Sequence, residues 1–187
     1  MRLLAFFIFC FSAPATAQQA FQKRSSVVSA GAGVYNIWKQ FLRDAISYPP
    51  STYKVSATGP FTIIYEYGVT NRFSAGVALG YSEINGKFNG FGEKFDEKLT
   101  NFSALIRANF HVGKFKKVDP YFGGGAGYFA FKYENSRNLS GDGKIPSALG
   151  LSAQVGVKYY FKPSIGAYAE IGYVGGSIGQ LGMAAKF

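Results

Sequence analysis

Apolar and polar side chains alternate residue by residue through most of this chain, in runs of about 10–14 residues. A period of two puts successive side chains on opposite faces of an extended strand and excludes the 3.6-residue period of an amphipathic helix. The clearest run is 148–161, where Leu149, Leu151, Ala153, Val155, Val157, Tyr159 and Phe161 share one face. Gly150, Ser152, Gln154, Gly156 and Lys158 share the other. The same pattern recurs over 99–112, 72–82 and 164–174, and more weakly over 58–69 and 177–187. Leu105 and Tyr160 interrupt it by sitting on the polar side. Two Gly-rich stretches, 27–38 and 120–133, complete a set of eight candidate strands without declaring their faces. Strands of soluble domains usually run about 5–6 residues, whereas a strand crossing a bilayer needs about 9–11. Length therefore points to membrane strands.

The breaks between these runs differ systematically. Thr70-Asn71 and Lys162-Pro163 are tight and 113–119 is moderate, while 39–57, 85–98 and 134–147 are long and rich in Gly, Pro, Asn and charge; the last break, at Gly175-Gly176, is short. Short turns at one end and long loops at the other are the signature of an outer-membrane barrel with periplasmic turns and extracellular loops. The faces agree. The polar face carries small residues with isolated Glu66, Arg107, Lys158, Glu170 and Lys186, too sparse for a water-exposed surface. The apolar face carries no charge in the four clearest strands, and a Lys or Arg at the bilayer midplane would cost about 2–4 kcal/mol. Trp38, Tyr65, Tyr67, Tyr81, Tyr159, Phe161 and Tyr173 fall near strand ends, where aromatic girdles meet lipid headgroups. The expected fold is all-β: an eight-stranded, antiparallel, up-and-down transmembrane β-barrel whose narrow lumen is filled by side chains.

Composition narrows the classes further. Charged residues make up 16% of the 187-residue chain, below the roughly 25% of soluble domains. One Cys and one His exclude a zinc ribbon or a disulfide scaffold, so neither metal nor cofactor is expected. Residues 1–17 read as a signal peptide, with Arg2, an apolar run over 3–11 and the cleavage pattern Ala15-Thr16-Ala17. The run is too short to span a bilayer as a helix, which takes about 20 residues. Cleavage after Ala17 leaves 18–24 as an N-terminal periplasmic segment and 25–187 as the barrel domain. Loss of Arg2 lowers the formal net charge from +10 to +9. The cations are spread over loops and turns without a basic-aromatic groove, so nucleic acid is not expected as a partner. Outer-membrane lipid and lipopolysaccharide phosphates are the expected counter-charges, with Lys114, Lys116 and Lys117 on a periplasmic turn facing inner-leaflet headgroups.

At the C-terminus, Gln180, Gly182, Ala185 and Phe187 form a polar-x-Gly-x-x-apolar-x-aromatic pattern ending on the last residue. It resembles the assembly signal of bacterial outer-membrane barrels, which implies the barrel-assembly machinery as a partner during biogenesis. The run Asp119-Pro120-Tyr121-Phe122-Gly123-Gly124-Gly125-Ala126-Gly127-Tyr128 resembles the fifth-strand segment of small OmpA/OmpX-like barrels, and Glu170-Ile171-Gly172-Tyr173 resembles their seventh. That resemblance spans the chain from about Ser25 to Phe187 and implies the outer membrane of a Gram-negative bacterium. It does not discriminate among structural, adhesive, resistance and enzymatic roles.

Candidate chemistry is sparse. Glu66, Arg107, Lys158 and Glu170 are expected to form a charge network in the lumen, because buried ions must pair to offset desolvation. His111, the single histidine, falls near a periplasmic turn, the wrong end for a lipid-A-modifying enzyme, and is expected as a hydrogen-bonded lumen residue. The Gly123–Gly127 run lacks the Lys-Ser/Thr and the helix of a phosphate loop and serves close strand approach instead. Any surface ligand would meet the long loops, including the diproline motif at 48–53. The expected function is a non-enzymatic envelope barrel with a structural or surface-interaction role. A narrow transport channel and a lipid-A-modifying enzyme are the alternatives.

Overall fold

The computed structural model describes residues 19–45, 52–90, 93–136, 147–174 and 176–187. The signal-peptide segment 1–17, residues 48–51 of the diproline motif and most of the 134–147 loop lie outside them. The described chain runs β1 (Ser26–Gly33), α1 (Ile37–Ala45), β2 (Tyr53–Gly68), β3 (Phe73–Gly90), β4 (Glu93–His111), β5 (Val118–Asn135), β6 (Ala148–Lys162), β7 (Ile165–Val174) and β8 (Ser177–Lys186). Each strand pairs antiparallel with its sequence neighbours, and β1 pairs with β8 to close the barrel.

The alternation predicted from sequence is the inside–outside alternation of this wall. Ile106 is 72% exposed and the adjacent Leu105 3%. The apolar face turns outward, with Phe61, Ile63, Val77, Leu79, Phe102, Val155, Leu181 and Met183 all exposed. Leu105 and Tyr160, which break the alternation, are buried on the inner side. Leu105 joins Ile64, Ala78, Phe129 and Tyr168 in an apolar layer across the lumen. Phe129 lies so close over Gly150 that a Cβ there would meet its ring at 1.7 Å, which is why this inner position carries no side chain.

Several boundaries differ from the sequence reading. The 85–98 segment is not a loop: β3 and β4 stay paired from Phe73–Phe110 out to Gly90–Glu93. The outer face of that extension is polar and charged, which hid it, but Ile84, Phe88, Phe95 and Leu99 remain buried on its inner side. Along β3 the outward side chains pass from Val77, Leu79 and Tyr81 to Glu83, Asn85 and Lys87. That switch marks where hydrocarbon ends, so β2–β5 form a wall that rises beyond the bilayer. The 27–38 stretch is not one strand, since β1 stops at Gly33 and α1 begins at Ile37. Trp38 therefore leaves the expected girdle. It packs against the Ile84–Leu99 cluster inside the mouth, with its ring edge on Phe131 at 4.7 Å. Tyr173 leaves it too. Gly172 takes φ +151°, the β7–β8 register shifts between Ile171 and Val174, and Tyr173 packs against the inner apolar layer. Tyr65, Tyr67, Tyr159 and Phe161 point outward near the short-turn end, and Tyr81 points outward at the opposite level.

Ile106→Arg is expected to destabilise the barrel in lipid by about 2–4 kcal/mol, the penalty for a cation on the lipid face. Urea unfolding in phosphatidylcholine vesicles measures it, and an effect below about 0.5 kcal/mol would contradict the outward assignment.

Candidate functional site

Inner positions alternate along every strand, so β2, β4, β5, β6 and β7 each deliver polar side chains to one level of the lumen below the apolar layer. Glu66, Arg107, Lys158 and Glu170 meet there, all buried. The Arg107 guanidinium forks onto Glu170, with Nη2 2.6 Å from Oε2 and Nη1 3.3 Å from Oε1. Its Nε lies 3.7 Å from Glu66 Oε1. Lys158 Nζ donates to Glu66 Oε2 at 2.5 Å and sits 4.0 Å above the Tyr121 ring. Tyr121 donates to Glu170 at 2.7 Å, Asn109 to Glu66, and Gln154 to Asn109 at 2.8 Å. Planar bidentate pairing with extra hydrogen bonds is the arrangement that offsets the desolvation of buried ions. Asn109 and Gln154 lie on the polar faces of the 99–112 and 148–161 runs, where no local sequence signal marks them for this network. Tyr121 lay in a Gly-rich strand whose faces the pattern left open.

A second cluster closes the short-turn end. His111 Nδ1 is 2.7 Å from Asp119 Oδ1, and its Nε2 is 2.9 Å from Ser74 Oγ. Asp119 Oδ2 stands 4.0 Å from Lys158 Nζ, linking the two clusters. With its hydrogen on Nδ1, the ring would donate to the carboxylate and accept from the hydroxyl, while the other carboxylate oxygen, Asp119 Oδ2, has no hydrogen-bond partner among the described residues. This is the spatial order of a Ser-His-Asp nucleophile system. Access is missing. The Phe21 ring stacks on His111 at 3.4 Å with an interplanar angle of 1°. Ser74, Asp119 and His111 are all buried, and Ser74 is paired in the sheet to both Gly68 and Asn109. The edge-on donors of an oxyanion hole are thus absent at Ser74, whose backbone belongs to the ladder.

Phe21 comes from the N-terminal segment 18–24, expected to be periplasmic. Its described residues, 19–24, cross the short-turn end of the barrel. Ala20 N–H donates to Phe115 at 2.8 Å, Lys186 Nζ donates to the carbonyls of Gln19 and Ala20 at 2.8 and 3.2 Å, and Arg24 N–H donates to Gly68 at 2.7 Å. Of the C-terminal pattern, Gln180 faces inward and accepts from Thr62 at 2.7 Å, while Ala185 and Phe187 lie on the outward side. Gly182 sits where a Cβ would meet the Ala30 carbonyl at 2.1 Å and crowd the Tyr168 ring. At the opposite mouth, Tyr53 and Tyr133 donate to Glu97 at 2.8 and 2.7 Å. Burial, then the Glu97 carboxylate, pushes the Tyr133 phenol up to about 12. Among the described residues no group of three or more His, Cys, Asp or Glu is placed to hold a metal ion.

The chain matches the family described as the outer membrane protein beta-barrel domain over residues 3–184. It belongs to that family, and its place is the cell outer membrane. None of the curated proteins matches it. Among solved structures it is similar to the outer membrane protein OprG from Pseudomonas aeruginosa, at 13% identity and a TM-score of 0.57, covering 90% of this chain and 98% of that one. It is also similar to Ail, the attachment invasion locus protein of Yersinia pestis, at 17% identity and a TM-score of 0.47, covering 88% and 99%. At this identity the likeness to OprG is one of fold.

Arg107→Ala leaves Glu66 and Glu170 without their shared cation and is expected to destabilise by about 3–5 kcal/mol. The double variant Arg107→Ala/Glu170→Gln is expected to recover a measurable part of that loss. Denaturant unfolding in vesicles checks both, and a double variant no more stable than the single one would contradict ion pairing as the source.

Proposed function

We propose that this chain is a non-enzymatic outer-membrane barrel with a sealed lumen, acting in envelope structure or surface interaction rather than transport. The observation that carries the reading is the occupancy of the lumen along its axis. The Ile64–Phe129 layer, the Glu66–Arg107–Glu170–Lys158 network and the Phe21 strap lie in series with no charge left unpaired at the centre. An ion crossing it would have to displace a buried bidentate pair, which is far costlier than displacing water. A wall of β2–β5 rising past the bilayer, lined outside by Glu83, Lys87, Lys98 and Lys132, supports a role at the cell surface and against lipopolysaccharide.

The test is planar-bilayer recording. The unaltered protein is expected to give no discrete conductance steps, and Arg107→Ala combined with Phe21→Ala to give them. Steps from the unaltered protein would favour the channel reading.

The Ser74–His111–Asp119 alignment favours a second reading, a serine hydrolase. It predicts covalent labelling of Ser74 by a fluorophosphonate probe. The sealed-lumen reading expects no label on Ser74 in the folded protein, since Phe21 covers the imidazole and the Ser74 side chain is buried. Mass spectrometry of the probed protein decides between them, and a Ser74 adduct lost in His111→Ala would establish the enzyme.

A further inference from the structure

Charge is divided unevenly along the barrel axis. In the lumen, Arg107, Lys158 and Lys186 are matched by Glu66, Asp119 and Glu170. At the extracellular mouth, cations and acids are mixed: Lys98 pairs with Glu83 at 3.0 Å, Lys132 with Glu134 at 2.7 Å, and Lys87 stands opposite Asp96 in the register. The periplasmic end is different. Lys23 and Arg24 on the strap, Arg72 in the first turn, Lys114, Lys116 and Lys117 in the second and Lys162 in the third are all exposed. Among the described residues, no acidic side chain is exposed at this rim. These seven cations alone carry +7, against a formal net charge of +10 for the whole chain.

The depth of these cations identifies their counter-charge. Arg72 directly precedes Phe73, Lys114 and Lys116 flank Phe115, and Lys162 directly follows Phe161; all three aromatic rings are exposed. An extended residue advances only about 3.3 Å, so the charges stand one step beyond the aromatic level. That level is the lipid interface, where aromatics anchor and long cationic side chains extend to the headgroups. The turns are too short to carry the charges far into the periplasm. We propose that this rim is a binding surface for the phosphates of anionic phospholipids in the inner leaflet of the outer membrane. Those lipids act as a belt that fixes the barrel's depth and neutralises its excess charge. A soluble acidic polymer is the competing partner, and it would have no need of the interleaved aromatic rings.

The test uses the full barrel in nanodiscs of equimolar phosphatidylglycerol and phosphatidylcholine, with retained lipids counted by native mass spectrometry. Each basic residue near an anionic surface is worth about fivefold in association, so retention is expected to favour phosphatidylglycerol by tenfold or more. The rim variant Arg72→Gln/Lys114→Gln/Lys116→Gln/Lys117→Gln is expected to fall toward equal retention. The mouth variant Lys54→Gln/Lys87→Gln/Lys132→Gln is expected to keep the preference. Heat-modifiable gel mobility verifies that both fold. Should the rim variant not fold, salt of about 1 M, which screens charges beyond about 3 Å, is expected to abolish the preference of the unaltered protein. The proposal is overturned by a rim variant that keeps the full preference, by equal loss in the mouth variant, or by a preference that survives salt. It is also overturned if the rim binds soluble polyglutamate while showing no lipid preference.

Discussion

Hydrocarbon offers no hydrogen-bond partner to a peptide N–H or C=O, and each group left unpaired there costs several kcal/mol. For a chain whose runs alternate with period two, helices are not available as a solution, because a helix would spread each apolar face around its circumference. The remaining solution is a sheet without edges. The pairing of β1 with β8 through Val27–Lys186 to Gly33–Gln180 removes the last edge, and everything else is built on that closure. It fixes the number of strands and sends every second side chain into a space too narrow for water to fill freely.

A closed eight-stranded wall turns the lumen into a protein core of unusual composition. Outward positions must be apolar, so the polar residues of each strand are forced inward, where they cannot be left unsolvated. The chain answers with two kinds of filling. Toward the outside, Ile64, Ala78, Leu105, Phe129 and Tyr168 form an apolar layer. Toward the periplasm, carboxylates and cations are matched at close range, with Glu170 held by Arg107 and Tyr121 and Glu66 by Lys158 and Asn109. The strap carrying Phe21 then closes the end from which bulk water would otherwise reach His111.

How much of this could be read from the sequence follows from which signals are local. Face assignment was legible wherever bulky and small residues alternate, as in β6 with Leu151, Ala153, Val155 and Val157 outward, because lipid demands apolarity at each position. The partners of Glu66, Arg107, Lys158 and Glu170 were legible only as a set, since parity brings them to one lumen and register decides who meets whom. The extension of β3 and β4 was not legible. Above the bilayer the outer face becomes polar and reads like a loop, while the inner Ile84, Phe88, Phe95 and Leu99 are spaced too sparsely among Gly, Asn and Lys to stand out. Tyr173 defied parity because Gly172 permits a backbone conformation that shifts the register. The strap was hidden for another reason: a short segment with one aromatic ring acquires meaning only when a ring-sized opening exists beneath it.

The Ser74–His111–Asp119 alignment illustrates how far distance alone carries a functional argument. A hydroxyl, an imidazole and a carboxylate in hydrogen-bond order are what a hydrolase needs, and they are also the cheapest way to bury all three groups at the base of a barrel. Each satisfies a neighbour that would otherwise lose hydration without return. Catalysis requires something the burial solution does not: a place for the substrate carbonyl beside the hydroxyl, and donors aimed at the charge that develops on it. Here the ladder on both sides of Ser74 consumes the backbone donors, and Phe21 occupies the face of the imidazole. The same closure that makes the barrel stable in lipid joins these three residues, through Asp119 and Lys158, to the network that fills the lumen.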